Sequence, residues 1–144
     1  MSAKADAVAL PCASASLRRA TRIVTQLYDE ALQAMDLTSS QFTLLQTLAQ
    51  ADQISQKQLA HILAIDSTTL TRTLLPLRRK GWIRSEQGTD RRELRLSLTP
   101  AGQRMLRRAA PFWEGAQERL RDLLGRADWN RVMETAYRIA ELKA

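Results

Sequence analysis

Four polar side chains near the middle of the sequence have the types and spacing needed to contact nucleic acid. They are Ser67, Thr68, Thr71 and Arg72. In a helix, positions i, i+1, i+4 and i+5 lie on one side, so three hydroxyl groups and a guanidinium would share one face near a helix N-terminus. Such groups suit the base edges and phosphates of a major groove. The alternative is an ordinary solvent-exposed helix face, since polar outer faces are usual.

A second candidate site is the triplet Asp90, Arg91 and Arg92, in a polar turn between two predicted strands. An arginine at the tip of a projecting hairpin can enter a minor groove, where the negative potential attracts it. The alternative is a charged loop that interacts only with solvent. Weaker candidates for phosphate contacts are Arg78, Arg79, Arg84 and Arg95.

Catalytic, metal and cofactor chemistry has little support in this sequence. The phosphate-loop, zinc-protease and nucleophile-elbow motifs are absent. Cys12 is the single cysteine, which excludes an internal disulfide and a multi-cysteine zinc site. His61 is the single histidine. We therefore expect a protein that is not an enzyme and that has no metal site and no cofactor.

Two short helices must position the first group of side chains. Capping signals begin both of them: Ser55 with Gln58 begins the first, and Asp66 begins the second, over residues 67–80. Gly81 ends the second helix. Only a few residues connect the pair, so it is predicted to form a helix-turn-helix. The inner face of its second helix is apolar, with Leu70, Leu74 and Leu77.

A β-hairpin must carry the second group. Residues 82–86 have the pattern of a strand, residues 87–91 that of a turn, and residues 93–98 alternate between polar and apolar. This alternation predicts a projecting wing with one buried face. The buried face is expected to contain Leu94, Leu96 and Leu98.

Longer helices are predicted on both sides of this unit. A helix over residues 17–35 carries an apolar seam at spacings of three and four, which requires a partner helix. After the hairpin, one helix is expected over residues 100–124 and another over residues 128–142, whereas residues 1–11 are expected to form a loose tail. The seam consists of Leu17, Ala20, Val24, Leu27, Ala31 and Ala34.

Composition limits the classes of partner. The 144 residues carry a formal net charge of +7, and 44% of them are hydrophobic. This charge attracts polyanions, of which nucleic acid is the commonest. No apolar run approaches the roughly 18 residues that span a bilayer, and no signal peptide is recognisable. We therefore expect a cytoplasmic protein without membrane contact.

The order of these elements and several motifs resemble the MarR family of bacterial regulators. The resemblance covers about residues 17–142, and it depends on shared order and spacing rather than on any single motif. The matching segments are Leu37-Thr38-Ser39-Ser40-Gln41-Phe42, Gln58-Leu59-Ala60, Asp66-Ser67-Thr68-Thr69-Leu70-Thr71-Arg72, Leu77-Arg78-Arg79-Lys80-Gly81-Trp82-Ile83, Asp90-Arg91-Arg92 and Leu98-Thr99-Pro100-Ala101-Gly102.

This resemblance implies a mainly α, winged helix-turn-helix protein with a small β-hairpin wing and long N- and C-terminal dimerisation helices. Residues 1–36 would form a tail and a dimerisation helix, residues 37–99 the DNA-binding domain, and residues 100–144 further dimerisation helices. A homodimer would present two recognition helices, about one duplex turn apart, to a palindromic operator.

Family membership would also imply roles for the wing and for a ligand. Arg92 would enter the minor groove of double-stranded DNA, and Asp90 would brace nearby arginines. The protein would be a repressor that a small anionic or phenolic effector releases from its operator, through coupling between two binding sites.

Two alternatives remain open. A non-specific architectural protein would use the same positive charge, although it would not need the long flanking helices. A redox-sensing regulator would use Cys12, because the organic-hydroperoxide-sensing branch of the family carries a reactive cysteine at the start of the first helix. That position falls here at Ser14, and the tyrosine that the branch uses falls at Arg18. We therefore expect Cys12 not to sense peroxide.

Overall fold

The computed structural model describes residues 10–142, and the predicted tail over residues 1–11 lies almost entirely outside this range. The predicted fold class, a mainly α winged helix-turn-helix, is confirmed. None of the helices within the described range is long and apolar enough to cross a membrane. The elements are α1 (Ala13–Leu32), α2 (Ser39–Ala51), β1 (Ile54–Ser55), α3 (Gln56–Ile62), α4 (Ser67–Arg79), β2 (Ile83–Gln87), β3 (Leu94–Leu98), α5 (Pro100–Leu124) and α6 (Arg126–Glu141).

Capping boxes fix the N-termini of α2 and α3. Thr38 Oγ1 accepts from the Gln41 backbone N–H at 3.2 Å, and Gln41 Oε1 accepts from the Thr38 N–H at 3.1 Å. Ser55 and Gln58 exchange the same two bonds at 3.0 and 3.1 Å. Each box satisfies two backbone donors that the first turn of a helix leaves free.

The first helix differs from its prediction at both ends. It begins at Ala13, four residues before the expected start, and a short 3₁₀ turn over Gln33–Met35 follows its end at Leu32. The small residues before Leu17 lack apolar periodicity, but alanine is a strong helix former and extends the helix. Asp36 then adopts a left-handed conformation, with φ of 53°, and leads the chain into α2.

A short strand that the sequence did not indicate completes a sheet of order β1-β3-β2 among the described residues. Ile54 of β1 lies opposite Leu96 of β3. The expected burial of the hairpin was wrong at two positions: Leu94 is 43% exposed, whereas Ser97 is buried. Leu94 lies at the wing end of β3, beyond the protein body, while Ser97 lies inside the sheet, where its Oγ accepts from Arg84 Nε at 3.0 Å.

One apolar core connects the helix-turn-helix with the long helices. It includes Leu32 of α1 and Ala109 of α5 beside the leucines of α2 and α4. Phe42 of α2 also stacks on Trp113 of α5, with ring centroids 5.7 Å apart. The winged unit is therefore packed directly on α1 and α5.

The start of α5 lies unusually close to the start of the wing. Thr99 donates its backbone N–H to Trp82 O at 3.0 Å and its hydroxyl to Gly81 O at 2.6 Å. A Cβ atom on Gly102 would lie only 2.1 Å from Trp82 O, so only glycine fits this position without movement. This contact holds β2 against α5.

Candidate nucleic-acid interface

The polar face of α4 is exposed, as a DNA-reading helix requires. Its opposite face is fully buried through Leu70, Leu74 and Leu77, so α4 has a fixed rotation about its own axis. A helix held in this way presents its outer side chains in a defined direction. The exposed set is Ser67, Thr68, Thr71 and Arg72.

Asp66 caps the N-terminus of α4 with both carboxylate oxygens. Oδ1 accepts from the Thr69 backbone N–H at 2.8 Å, and Oδ2 accepts from the Thr69 hydroxyl at 2.7 Å. These hydrogen bonds favour the ionised carboxylate and lower the pKa of Asp66 below its ordinary value. The end of α4 that carries Ser67 and Thr68 is therefore well ordered.

Gln56, which sequence reasoning did not select, contacts the exposed face of α4. Its Nε2 donates to Thr71 Oγ1 at 2.9 Å, and the Thr71 hydroxyl donates to Ser67 O at 2.8 Å. Gln56 is the first residue of α3, fifteen positions before Thr71. No local pattern reveals a contact across that distance, although the Ser55 cap does mark where α3 begins.

The wing tip is held by Asp90. Its Oδ1 accepts from the Arg92 backbone N–H at 3.0 Å, and its carbonyl oxygen accepts from the Glu93 N–H at 2.9 Å. Both Arg91 and Arg92 are exposed, and neither forms an ion pair with a residue in the range 10–142. Asp90 therefore orders the loop through backbone hydrogen bonds, one of which is to Arg92, and both guanidinium groups remain exposed.

The remaining arginine candidates have different surroundings. Arg78 is half-buried, and its Nε and Nη2 atoms are shielded from solvent without a hydrogen-bond partner in the described structure. This placement does not favour a phosphate contact by those atoms. Arg84 pairs with Glu86 at 3.4 Å, and Arg95 pairs with Glu93 at 3.8 Å.

Lys80 connects the end of α4 with the segment that follows α1. Its Nζ donates to Asp36 Oδ2 at 2.6 Å and to Asp36 O at 3.1 Å, and it lies 4.7 Å from the centroid of the Trp82 ring. The hydrogen bond and charge of Lys80 lower the pKa of Asp36. Lys80 thus contacts the turn before α2 and the beginning of the wing.

A cavity of about 670 Å³ lies behind α4, among α1, α2, α5 and α6. Trp113 and Trp129 line it, whereas Trp82 does not, and every lining side chain is uncharged. The Tyr28 hydroxyl donates to Gln117 Oε1 within it. Burial raises the pKa of Tyr28 although the charge of Arg121 opposes this shift. The cavity therefore combines aromatic walls with neutral hydrogen-bonding groups.

Cys12 lies apart from this interface. It is exposed at the residue before α1 and makes no side-chain capping bond there. The two positions that the peroxide-sensing branch uses, Ser14 and Arg18, are also exposed on α1.

Comparisons with known proteins agree with this geometry. The family model "MarR family" matches residues 37–94. The chain is 33% identical over 103 residues to the uncharacterized HTH-type transcriptional regulator YdcH of Bacillus subtilis. This alignment covers 68% of this chain and 70% of YdcH. It is 31% identical over 83 residues to the uncharacterized regulator YwoH of the same organism, covering 58% of this chain and about three fifths (61%) of YwoH.

A solved structure matches over nearly the whole chain. The crystal structure of the M. tuberculosis transcriptional regulator MosR in complex with DNA is 35% identical, with a TM-score of 0.82, over 92% of this chain and 96% of MosR. The chain therefore belongs to the MarR family of winged helix-turn-helix transcriptional regulators.

Proposed function

We propose that this chain is a regulator that binds double-stranded DNA at specific sequences, with α4 in the major groove and the wing in an adjacent minor groove. The observation that carries the proposal is the exposed hydroxyl and guanidinium face of α4, together with two exposed arginines at the wing tip. Arg92 would enter the minor groove, and Arg91 would contact a phosphate. The residues assigned to base edges and nearby phosphates in the major groove are Ser67, Thr68, Thr71 and Arg72.

The chain acts as a homodimer in this proposal. Helix α6 buries no residue within one copy, and large apolar side chains are exposed on α1, at the end of α5 and on α6. A second copy would cover them. Residues 1–36 and 100–144 would then serve dimerisation and residues 37–99 DNA binding, with a palindromic operator as the target. The exposed set includes Leu17, Ile23, Leu123, Val132, Tyr137 and Ile139.

A small molecule in the cavity would release the repressor from its operator. The cavity touches α4 through Thr69 and Thr73, so its occupant contacts the helix that reads DNA. An uncharged lining favours a neutral phenolic ligand over an anionic one, because a buried charge without a partner is costly. This role couples two binding sites and requires no catalytic step.

Selection of bound sequences from a random duplex library tests the DNA-binding proposal. The protein should sediment as a dimer at micromolar concentration and select a site with two-fold symmetry. Equal affinity for all duplexes would instead support the architectural alternative and contradict the proposal.

A matched ligand pair tests the cavity. Titration with 4-hydroxybenzyl alcohol, which is uncharged at neutral pH, should change tryptophan fluorescence and weaken DNA binding, whereas 4-hydroxybenzoate, which has similar size but a negative charge, should do neither. Release by the carboxylate alone would contradict the preference for a neutral ligand.

A further inference from the structure

Gln56 belongs to α3, yet its amide lies on the DNA-facing side of α4. Nε2 of Gln56 lies 2.9 Å from Thr71 Oγ1, and Thr71 is one helical turn from Ser67 on the exposed face. Any base edge or phosphate that reaches Thr71 therefore also meets the Gln56 amide.

The hydrogen bonds of Thr71 fix the orientation of this amide. A threonine hydroxyl has a single hydrogen, and here it is donated to Ser67 O at 2.8 Å. Thr71 Oγ1 can consequently only accept from Gln56, so the amide nitrogen and not the oxygen faces it. Of the two hydrogens on Nε2, one remains free, and Oε1 has no partner among the described residues. An adjacent donor and acceptor match N7 and N6 of adenine in the major groove.

The backbone at Gln56 is held from both directions. Before it, Ile54 and Ser55 pair with Leu96 and Arg95 of β3. After it, the Ser55 and Gln58 capping box closes the first turn of α3. The Gln56 side chain has three rotatable torsions, but its hydrogen bond to Thr71 at 2.9 Å already restricts them before DNA binds. This ordering lowers the entropy that binding would cost, which favours a specific contact.

Gln56 also lies between the exposed face of α4 and the wing, which are the two parts proposed to contact DNA. With Lys57 and Arg92 it lines a groove of about 530 Å³ between α3 and the wing. Its amide therefore borders the α4 face on the side toward the wing.

We propose that Gln56 is a specificity-determining residue that reads one adenine per half-site, with Thr71 as the positioning residue that orients its amide. This inference rests on the proposed DNA-binding function and adds a base contact from outside the recognition helix.

Selection from a random duplex library, followed by affinity measurements on single-base variants of the selected site, tests the inference. Wild type should prefer adenine at one position of each half-site, and Gln56→Ala should lower that preference by about 10-fold, within the range of a bidentate base contact. Gln56→Glu should transfer the preference to cytosine, whose amino group donates to a carboxylate. Thr71→Val should lose the adenine preference, and Thr71→Ser should keep it.

Gln53→Ala is the matched control, since Gln53 is an exposed glutamine just before β1 and lies outside the proposed interface. It should retain the wild-type site. An unchanged adenine preference in Gln56→Ala would overturn the inference, as would a uniform loss of affinity for every sequence, which indicates a phosphate contact. If wild type selected no site at all, the proposed DNA-binding function itself would fail.

Discussion

Arg92 and Arg78 differ in how accessible their guanidinium groups are to a DNA partner. Arg92 is exposed at the wing tip, with its backbone fixed by Asp90 at 3.0 Å. Arg78, on the last turn of α4, has two guanidinium nitrogens shielded from solvent. An arginine that contacts DNA must keep its donors accessible, so the wing residue is the better candidate.

Arg92→Ala should weaken operator binding by about 1–3 kcal/mol, the usual cost of losing a specific arginine contact. The slope of log K against log salt should fall by about one unit, because one ionic contact is lost. Base preference in the major groove and thermal stability should be retained, since an exposed loop arginine supports no core. A salt titration of operator binding measures both quantities.

Arg107→Ala is a suitable control for Arg92→Ala, because it removes the same charge from an exposed position on α5. It should alter affinity and salt slope much less. Equal effects of the two substitutions would show that net charge, and not the wing, produces the binding.

Cys12→Ser should leave DNA binding unchanged both with and without peroxide. The thiol is exposed and makes no capping bond, and the positions that support peroxide sensing in the similar branch are Ser14 and Arg18. Gel-shift assays with and without cumene hydroperoxide check this. A wild type that peroxide releases from DNA, together with a resistant Cys12→Ser variant, would establish redox sensing.

At the scale of elements, the Asp66 cap makes the stability of α4 depend on pH. Hydrogen bonds from Thr69 lower the pKa of Asp66 in the folded state. The ionised Asp66 carboxylate therefore contributes fully to the stability of the folded protein above its ordinary pKa of 3.8. This contribution is lost as the pH falls through the lower pKa that Asp66 has in the folded state.

Urea unfolding between pH 7 and pH 3 should show this loss as a difference between wild type and Asp66→Asn. Asparagine also caps helices but does not titrate, so any stability advantage of wild type at neutral pH should shrink in acid. Parallel pH profiles for the two proteins would contradict the assigned role of the carboxylate.

Gly102→Ala should destabilise the protein by about 1–3 kcal/mol or more, the usual cost of overpacking. The new methyl group would lie 2.1 Å from the carbonyl oxygen of Trp82, which would separate the wing from α5. Gly115→Ala is the control within the same helix, because its Cβ would meet no atom within 4 Å. Alanine should stabilise the helix there by about 0.5–1 kcal/mol. Thermal and urea unfolding measure both effects, and a Gly102→Ala protein as stable as Gly115→Ala would contradict the role of this close contact.

At the scale of the whole molecule, the apolar surface of α6 determines assembly in our proposal. Ile139→Glu should convert the dimer into a monomer without loss of helix content, because Ile139 is 44% exposed in a single copy. Sedimentation and circular dichroism measure these two properties. Operator affinity should fall strongly, since one copy contacts only a half-site.

Ile62→Glu provides the comparison for oligomeric state. Ile62 is 58% exposed on α3, away from the proposed dimer helices, so this variant should remain a dimer. A monomeric wild type, or a dimeric Ile139→Glu protein, would exclude this surface as the interface.

The sequence alone determined the features that depend on neighbours within about one helical turn. The box at Ser55 and the Asp66 cap are present as predicted, and Gly81 has the positive φ of 70° that a helix end favours. Apolar spacing also identified the buried face of α4. These features follow from local hydrogen bonds and from periodicity, which a short stretch of sequence contains in full.

Only the tertiary structure decided which distant groups meet. Strand β1 has two residues and exists because β3 lies beside it. The exposure of Leu94 depends on where the protein body ends, and the pairing of Gln56 with Thr71 depends on how α3 packs on α4. The uncharged cavity behind α4 likewise forms only when several helices assemble. Such contacts join residues that are far apart in sequence, so packing of the complete core, and not local pattern, determines them.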